Sequence, residues 1–300
     1  MAEPKYPPLV MPEGIVRDTV TIWSNGIALD ADVYRPATLA PDARRPGVVL
    51  GHGWGGSKST AERYAALFAA SGMIAVTFTH GSWFGSGSPL QLVDQDPELD
   101  ENNEATVRVR FIRDLIDPWA WTQNVRAALD YLEGEPNVDP DRIGLWGTSF
   151  GGGIAIYVAA NDPRVSALVV QVPAIALSRT PAWGLAQQRA IATARGDFPA
   201  IPQDVDRFPD SDGTPYLAAL ARFDPLTQVD RLRMPTLIID AGQEELYPTA
   251  DNGQNAATIL RANGVTVDYH VVPAITHYGI YFDGYEFGSS TALNWFESYL

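Results

Sequence analysis

A serine flanked by glycines is the first residue of this chain that could carry out covalent chemistry. Ser149 is the centre of a Gly-x-Ser-x-Gly sequence at residues 147–151. An apolar run, residues 143–146, precedes it, and an apolar stretch of helical character, residues 154–160, follows it. This order predicts a strand, a sharp turn and a helix, with the serine hydroxyl presented at the turn as a nucleophile. Glycines on either side would let the strand and the helix approach closely.

A serine hydroxyl needs a neighbouring base, and the base needs a third group that orients it. Of the four histidines, His270 lies inside a strand pattern and is expected to have a structural or surface role. His277 follows the last predicted strand, in a loop from which it can reach a serine at the edge of a sheet. We therefore expect His277 to be the base.

The acid that orients the histidine is expected between the serine and the histidine, again after a strand. Asp240, Glu244 and Glu245 follow the apolar run 236–239. Asp240 is close to the strand end and comes early for this role. Either glutamate could face the imidazole, and only one of the two can do so. The alternative role for each glutamate is to stabilise the N-terminus of a following helix by its charge.

A glycine-rich turn follows another predicted strand and could complete such a site. The sequence His-Gly-Trp-Gly-Gly, residues 52–56, comes directly after the apolar run 48–50. Backbone N–H groups in such a turn can point at a developing oxyanion and stabilise the transition state. We expect the N–H groups of Trp54 and Phe150 to form this oxyanion hole, and His52 to shape the turn.

The pattern of apolar residues predicts the elements that must position these groups. An Asn-Gly pair at residues 25–26, between two alternating segments, predicts an N-terminal β-hairpin. Short apolar runs then alternate with helical periods, which predicts a mostly parallel sheet covered by helices on both faces. Ligands bind such sheets beyond the carboxyl ends of the strands. The predicted strands are 46–50, 73–78, 142–146, 165–171, 236–239 and 266–272, and the predicted helices are 58–71, 117–132, 150–160, 248–263 and 286–299.

Composition excludes several classes of function. The 300 residues include no cysteine, which rules out disulfides, thiolate metal sites and cysteine nucleophiles. A net charge of −15 and a pI near 4.6 oppose phosphate backbones and anionic membranes, so neither a nucleic acid nor a membrane is an expected partner. The acidic run 94–104 has no calcium-loop spacing, and we expect neither a metal nor a cofactor. No apolar segment suits a signal peptide or a bilayer span, which predicts a cytoplasmic protein.

On these motifs the chain resembles the α/β-hydrolases. The residues that carry the resemblance are the glycine-flanked Ser149, the turn 52–56, the serine–acid–histidine order and the strand–helix succession over residues 47–300. The resemblance implies an α/β-hydrolase fold with a single domain over residues 1–300. It also implies a serine hydrolase that works through an acyl-enzyme.

The resemblance bears on the choice between the two glutamates. In many relatives the acid loop reads strand-Gly-x-x-Asp-x-x-x-Pro. When this pattern is laid over the chain without a gap, Pro235 and Pro248 both match and Ala241 stands for the glycine. Glu244 then stands for the aspartate and is one methylene longer. The resemblance therefore favours Glu244 as the acid, with Glu245 as its rival.

Within the superfamily, residues 29–36 and the glycine-rich loop are similar to three branches: the dienelactone-hydrolase-like, the acetylxylan-esterase-like and the X-prolyl-peptidase/cocaine-esterase-like proteins. Dienelactone hydrolases proper use a cysteine nucleophile, which this chain lacks. Residues 79–88 keep the small residues of a loop found in several relatives but lack its arginine.

Residues 178–225 break the alternation of strand and helix and are expected to form a cap over the site. They contain two helical pieces and several prolines, among them Pro202 and Pro209. Candidates for lining an apolar substrate pocket beneath the cap are His80, Trp83, Phe84 and Trp183. Each aromatic could equally pack the cap on the body, and a structural, hydrogen-bonded role is the alternative for His80.

The sequence thus predicts a serine carboxylic-ester hydrolase that acts on a small to medium, apolar ester with water as the second substrate. An acyltransferase or a peptidase with the same triad is the alternative within enzymes. A ligand-sensing relative with slow turnover is the alternative outside them. The sequence leaves the oligomeric state open.

Overall fold

A central sheet of eight strands organises the chain in the computed structural model, which describes residues 6–93, 97–199, 201, 207–208 and 211–300. The strand bounds are β1 Ile15–Ser24, β2 Ile27–Pro36, β3 Arg45–Gly51, β4 Ile74–Phe78, β5 Val138–Thr148, β6 Val165–Gln171, β7 Thr236–Gln243 and β8 Val267–Thr276. These strands lie side by side in the order β1-β2-β4-β3-β5-β6-β7-β8. β1 and β2 form an antiparallel hairpin, β2 pairs antiparallel with β4, and all later neighbours are parallel.

The described residues form seven α-helices and several shorter elements. The helices are α1 Glu62–Ala70, α2 Pro118–Glu133, α3 Phe150–Ala159, α4 Ala182–Arg195, α5 Leu217–Leu220, α6 Gly253–Ala262 and α7 Tyr285–Tyr299. Single 3₁₀ turns or short 3₁₀ helices cover Lys58–Thr60, Leu177–Arg179, Pro225–Arg231 and Tyr278–Tyr281. Two short strand pairs lie outside the sheet: Leu90–Leu92 with Val109–Phe111, and Leu115–Ile116 with Thr214–Pro215.

The inner strands are buried on both faces because helices cover the sheet on both sides. Successive residues of a strand point to opposite faces, so Val49 packs with α2 and α3 in one core cluster, and Val48 packs with α1 and α7 in the other. On the second face, the rings of Phe68 in α1 and Phe296 in α7 meet with centroids 5.4 Å apart. The apolar runs of the inner strands reflect this double burial.

The predicted fold class is confirmed: a hairpin leads into a mostly parallel sheet with helices on both faces. Several predicted bounds were wrong. The predicted helix 58–71 opens with a 3₁₀ turn that Ser57 caps, and α1 itself begins at Glu62. The helix predicted from residue 248 begins at Gly253. β8 continues through Pro273 to Thr276, beyond the predicted end at residue 272, because its last residues pair again with β7.

The chain leaves the sheet between β6 and β7. The connecting segment contains α4, α5 and the short strand Thr214–Pro215, which pairs with Leu115–Ile116. It includes the segment 178–225 that the sequence assigns to a cap. Of the prolines named for that segment, Pro202 and Pro209 lie outside the described residues, as do residues 94–96 of the acidic run. Residues 98–104 of that run are exposed. Among the described helices, none combines the length and the apolar character that crossing a membrane requires.

Candidate active site

Ser149 lies at the turn between the end of β5 and the start of α3, with a backbone φ of 55°. A non-glycine residue in this left-handed region is strained, so the surrounding structure must hold it there. The flanking glycines allow the close packing that does so. A β-carbon at Gly147 would collide with the carbonyl oxygen of Gly151, and one at Gly151 would collide with that of His52. The turn therefore holds the serine between strand and helix, with its hydroxyl beside the loop after β3.

His277 is the first residue after β8, and its side chain is fully buried. Its Nε2 atom lies 2.9 Å from the Oγ atom of Ser149. After an irregularity in the pairing of β7 with β8, Gln243 and Thr276 face each other. The residues that follow them, Glu244 and His277, therefore lie side by side at the carboxyl edge of the sheet.

The carboxylate of Glu244 accepts from the Nδ1 atom of His277, with distances of 3.0 and 2.9 Å to its two oxygens. One of these oxygens also accepts from the backbone N–H groups of Leu246 and Tyr247, at 2.9 and 3.1 Å. Burial alone would raise the pKa of Glu244, but the hydrogen bonds from His277 and the backbone, together with the electrostatic attraction of the imidazole, outweigh burial and leave this pKa below its usual value. The ionised carboxylate fixes the proton on Nδ1, which leaves Nε2 free to accept from the serine hydroxyl.

The other two acids of the loop after β7 have different partners. Glu245 accepts, through Oε2, from the backbone N–H of His277 at 2.9 Å. The buried carboxyl of Asp240 accepts from the Tyr269 hydroxyl at 3.0 Å. Of the three candidates, the structure brings Glu244 to the imidazole ring.

The loop after β3 lies directly on the serine turn. A β-carbon at Gly53 would come within 2.8 Å of the Ser149 β-carbon, so this backbone is in contact with the nucleophile. The neighbouring backbone N–H groups of Trp54 and Phe150 have no hydrogen-bond acceptor among the described residues. Two N–H donors that have no acceptor and lie beside a nucleophile are the arrangement that stabilises an oxyanion.

His52 supports this loop from the core. Its Nδ1 atom donates to the carbonyl oxygen of Gly53 at 2.8 Å, and its Nε2 atom accepts from the backbone N–H of His80 at 3.1 Å. Both ring nitrogens are thus used to hold backbone. The expectation that His52 shapes the turn agrees with these contacts.

An apolar cavity of about 170 Å³ lies between the cap segment and the site. Trp54 and Phe150, the residues with the two unpaired N–H groups, form one wall. Tyr247, whose ring centroid is 5.6 Å from that of His277, forms another. The remaining lining residues come from the cap segment and the chain before it: Leu177, Thr180, Ala182, Trp183, Ala186, Phe208, Leu217 and Leu220.

Of the four predicted pocket residues, Trp183 lines this cavity and the other three do not. His80 is fully buried and stacks in parallel on Trp121 at 4.0 Å between centroids. Burial holds the pKa of His80 well below its usual value, so the ring is neutral. Trp83 is 1% exposed and belongs to the same core cluster as Trp121. Phe84 is 63% exposed and lines a separate cavity of about 590 Å³ beneath the N-terminal segment. Of the predicted pocket residues, the structure therefore brings only Trp183 to this cavity, and His80, Trp83 and Phe84 lie elsewhere.

Sequence reasoning missed Tyr247 and the cap residues Ala186, Leu217 and Leu220. These residues are far apart in the chain and share no motif. The one available signal was the position of Tyr247 in the acid loop. In the part of the chain that the structure describes, no group of three or more histidine or acidic side chains is arranged to hold a metal ion.

Comparisons with known proteins match most of the chain. A family model described as alpha/beta hydrolase fold matches residues 111–280, and a model described as acetyl xylan esterase matches residues 25–189. The solved structure of PA2218 from Pseudomonas aeruginosa superposes with a TM-score of 0.66 at 18% identity, over 97% of this chain and 96% of that chain. A fungal esterase from Rhizomucor miehei superposes with a TM-score of 0.62 at 18% identity, over 97% and 85%. At these identities the structural likeness shows the fold alone.

Among curated proteins, the quorum-quenching protein AidA of Acinetobacter baumannii is 32% identical over 153 residues, which are 50% of this chain and 41% of that protein. The chain covers between 19% and 54% of the length of the first four curated relatives that it matches.

Proposed function

The chain belongs to the α/β-hydrolase family, and from this premise we propose that it is a serine carboxylic-ester hydrolase. One observation carries the proposal. The Ser149 hydroxyl, the His277 imidazole and the Glu244 carboxylate form a hydrogen-bonded row with distances of 2.9 to 3.0 Å. This is the arrangement that activates a serine for attack on an acyl carbon.

In the first half of the reaction, Ser149 Oγ forms a bond to the acyl carbon while His277 Nε2 takes the hydroxyl proton. Glu244 keeps the imidazole oriented and stabilises the imidazolium that forms. The backbone N–H groups of Trp54 and Phe150 donate to the negative oxygen of the tetrahedral intermediate. The intermediate then collapses: the bond to the alcohol oxygen breaks, and His277 returns the proton to the leaving alcohol.

In the second half, water takes the place of the alcohol. His277 accepts a proton from water as its oxygen attacks the acyl carbon, and the same two N–H groups bind the oxyanion. The bond to Ser149 Oγ breaks, Oγ regains its proton from His277, and the carboxylic acid leaves. Both halves use the same residues, so no further group is required from the protein.

The cavity beside the site supports a small, uncharged acyl group as the part of the substrate that it binds. Its lining is aliphatic and aromatic apart from the hydroxyls of Thr180 and Tyr247, and it contains no lysine or arginine among the described residues. A carboxylate or phosphate would lose its water there without gaining a positively charged partner. The match to the acetyl xylan esterase model supports an ester as the substrate class.

The enclosed triad also supports acyl transfer as a second candidate function. The His277 side chain is fully buried and Ser149 is 9% exposed, so bulk water has limited access to an acyl group on the serine. An alcohol or amine bound at the entrance could then compete with water. Product analysis with acceptor present, against water alone, distinguishes transfer from hydrolysis.

The proposal is tested by replacing the nucleophile. Ser149→Ala should abolish cleavage of a short p-nitrophenyl ester and labelling by a fluorophosphonate probe, with an unchanged circular dichroism spectrum and melting temperature. The substitution removes only the hydroxyl oxygen and keeps the β-carbon, so a change in fold is not expected. Equal hydrolysis rates for the parent and the variant would refute the proposal.

A further inference from the structure

We propose that Glu245 is a positioning residue for this triad, and that its carboxylate holds the main chain of His277 so that the imidazole stays on Ser149. This inference rests on the function proposed above and assigns a separate task to the second glutamate of the acid loop. Adjacent glutamates then bind the same histidine at two different places. Glu244 binds the ring at Nδ1, and Glu245 binds the backbone N–H at 2.9 Å.

The backbone before His277 is irregular, so an additional hydrogen bond is needed to fix its position. Pro273 has no N–H to donate to a neighbouring strand. Ala274 adopts a left-handed φ of 62°, and the pairing of β7 with β8 shifts between Ala241 and Gln243. A non-glycine residue with positive φ is strained. The chain thus reaches His277 through a bulge, and the bond from its N–H to Glu245 fixes the point where the bulge ends.

The other two members of the triad are held by independent contacts. The serine turn is fixed by close glycine packing against the loop after β3. The Glu244 carboxylate is fixed by the N–H groups of Leu246 and Tyr247. Loss of the Glu245 carboxylate therefore leaves the nucleophile and the acid in place and loosens the histidine between them.

A small displacement of that histidine is enough to impair catalysis. The distance of 2.9 Å between Nε2 and the serine Oγ is a normal hydrogen bond, and misplacement of a catalytic group by about 1 Å can cost a hundredfold in rate. Glu245 itself is exposed, so water can replace part of its bond to the backbone. We therefore expect a loss of about tenfold rather than a complete loss.

The experiment compares Glu245→Ala, Glu245→Gln and a control, Glu297→Ala, which removes an exposed glutamate from α7. The readouts are kcat and KM for a short p-nitrophenyl ester, and the rate at which a fluorophosphonate labels Ser149. Labelling depends on the activated serine and needs no ester substrate. Melting temperatures show that each variant is folded.

For Glu245→Ala we expect kcat and the labelling rate to fall by about tenfold with KM within about twofold of the parent. The amide oxygen of glutamine can accept the same backbone hydrogen bond, so Glu245→Gln should recover most of the loss. Glu297→Ala should match the parent.

Three results would overturn the inference. The first is a Glu245→Ala variant that labels and turns over at the parent rate. The second is a Glu245→Gln variant as impaired as Glu245→Ala, because the carboxylate charge and not the hydrogen bond would then matter. The third is a parent protein whose Ser149 is unreactive, which would also remove the proposed function. The first two results leave that function standing, so the two failures are distinguishable.

Discussion

Gly53 lies so close to Ser149 that a β-carbon on Gly53 would come within 2.8 Å of the serine β-carbon and of the Thr148 carbonyl oxygen. Neither of these atoms is the end of a flexible side chain, and both belong to the strained turn between β5 and α3. The loop that presents the proposed oxyanion donors and the turn that presents the nucleophile therefore fix one another.

Gly53→Ala should accordingly lower activity by separating these two loops. We expect kcat for a short p-nitrophenyl ester to fall at least about tenfold, and unfolding to become easier by about 1–3 kcal/mol, as for other overpacked sites. Gly184→Ala is the matched control, because a β-carbon at this position of α4 meets no atom within 4 Å. It should stabilise the helix by up to about 1 kcal/mol and leave kcat unchanged. Equal kcat values for Gly53→Ala and the parent would contradict the proposed role of this contact.

Glu244→Gln should impair the enzyme far more than Glu245→Gln. The amide of glutamine cannot stabilise the imidazolium, and it can hold the imidazole in the wrong tautomer. Neutralising the acid of a serine–histidine–acid triad costs up to about 10⁴-fold in kcat. We expect a loss of about 10²-fold or more for Glu244→Gln, measured as kcat/KM beside the Glu245 variant. A larger loss in Glu245→Gln would reassign the acid.

Much of the fold could be predicted from the sequence because its signals are local. The Asn-Gly pair at residues 25–26 fixes the hairpin. The strands β3 to β7 can be recognised from their own runs of apolar residues, without knowledge of the strands with which they pair. Element ends were less predictable. Residues 249–252 continue a helical pattern, yet α6 begins only at Gly253. There a β-carbon would collide with the buried Asp240 carboxyl, a tertiary contact that no local pattern reveals.

The same distinction applies to the site: residues placed by the sheet topology could be predicted, and residues placed by tertiary contacts could not. Ser149 and His277 each follow a strand of a parallel sheet, so topology alone brings them to one edge. The side chains of Glu244 and Glu245 are adjacent in a loop, and which one reaches the imidazole depends on the bulge between β7 and β8. Family resemblance supplied the preference for Glu244 that the residues themselves left open. The cavity could not be predicted, because the aromatic character of a residue such as Trp83 does not reveal whether it faces a pocket or the core.

The cavity predicts how acyl-chain preference can be changed. Ala186 of α4 lines it and is 2% exposed, so a larger side chain at this position must project into the space. Ala186→Phe should lower kcat/KM for longer acyl chains relative to acetyl by about tenfold, since each buried methylene is worth about 0.8 kcal/mol. A panel of p-nitrophenyl esters from acetate to octanoate measures this. Ile191→Phe, at a 63% exposed position of the same helix, should leave the profile unchanged. An unaltered profile in Ala186→Phe would mean that acyl groups bind elsewhere.

Asp240 predicts a pH dependence of stability that the triad does not explain. Burial raises the pKa of Asp240 to about 7, the hydrogen bond from Tyr269 lowers it only in part, and the charge of Glu244 raises it further. In the unfolded chain an aspartate has a pKa of about 3.9. The folded state therefore holds this proton more tightly. The stabilisation from Asp240 is fully present below about pH 4 and is lost as the pH rises to about 7, on the order of 4 kcal/mol in total.

Asp240→Asn should remove this dependence, because asparagine stays neutral and its amide oxygen can still accept from the Tyr269 hydroxyl. The variant should unfold much like the parent near pH 4 and should become the more stable protein, by on the order of 4 kcal/mol, at pH 8. Urea unfolding at a series of pH values measures the difference between the two curves, in which contributions from other carboxyls cancel. Asp283→Asn, which neutralises an exposed aspartate after the last 3₁₀ helix, is the control and should follow the parent at every pH. Parallel curves for Asp240→Asn and the parent would show that Asp240 is ionised in the folded protein across this range, and that its burial is compensated by the surrounding structure.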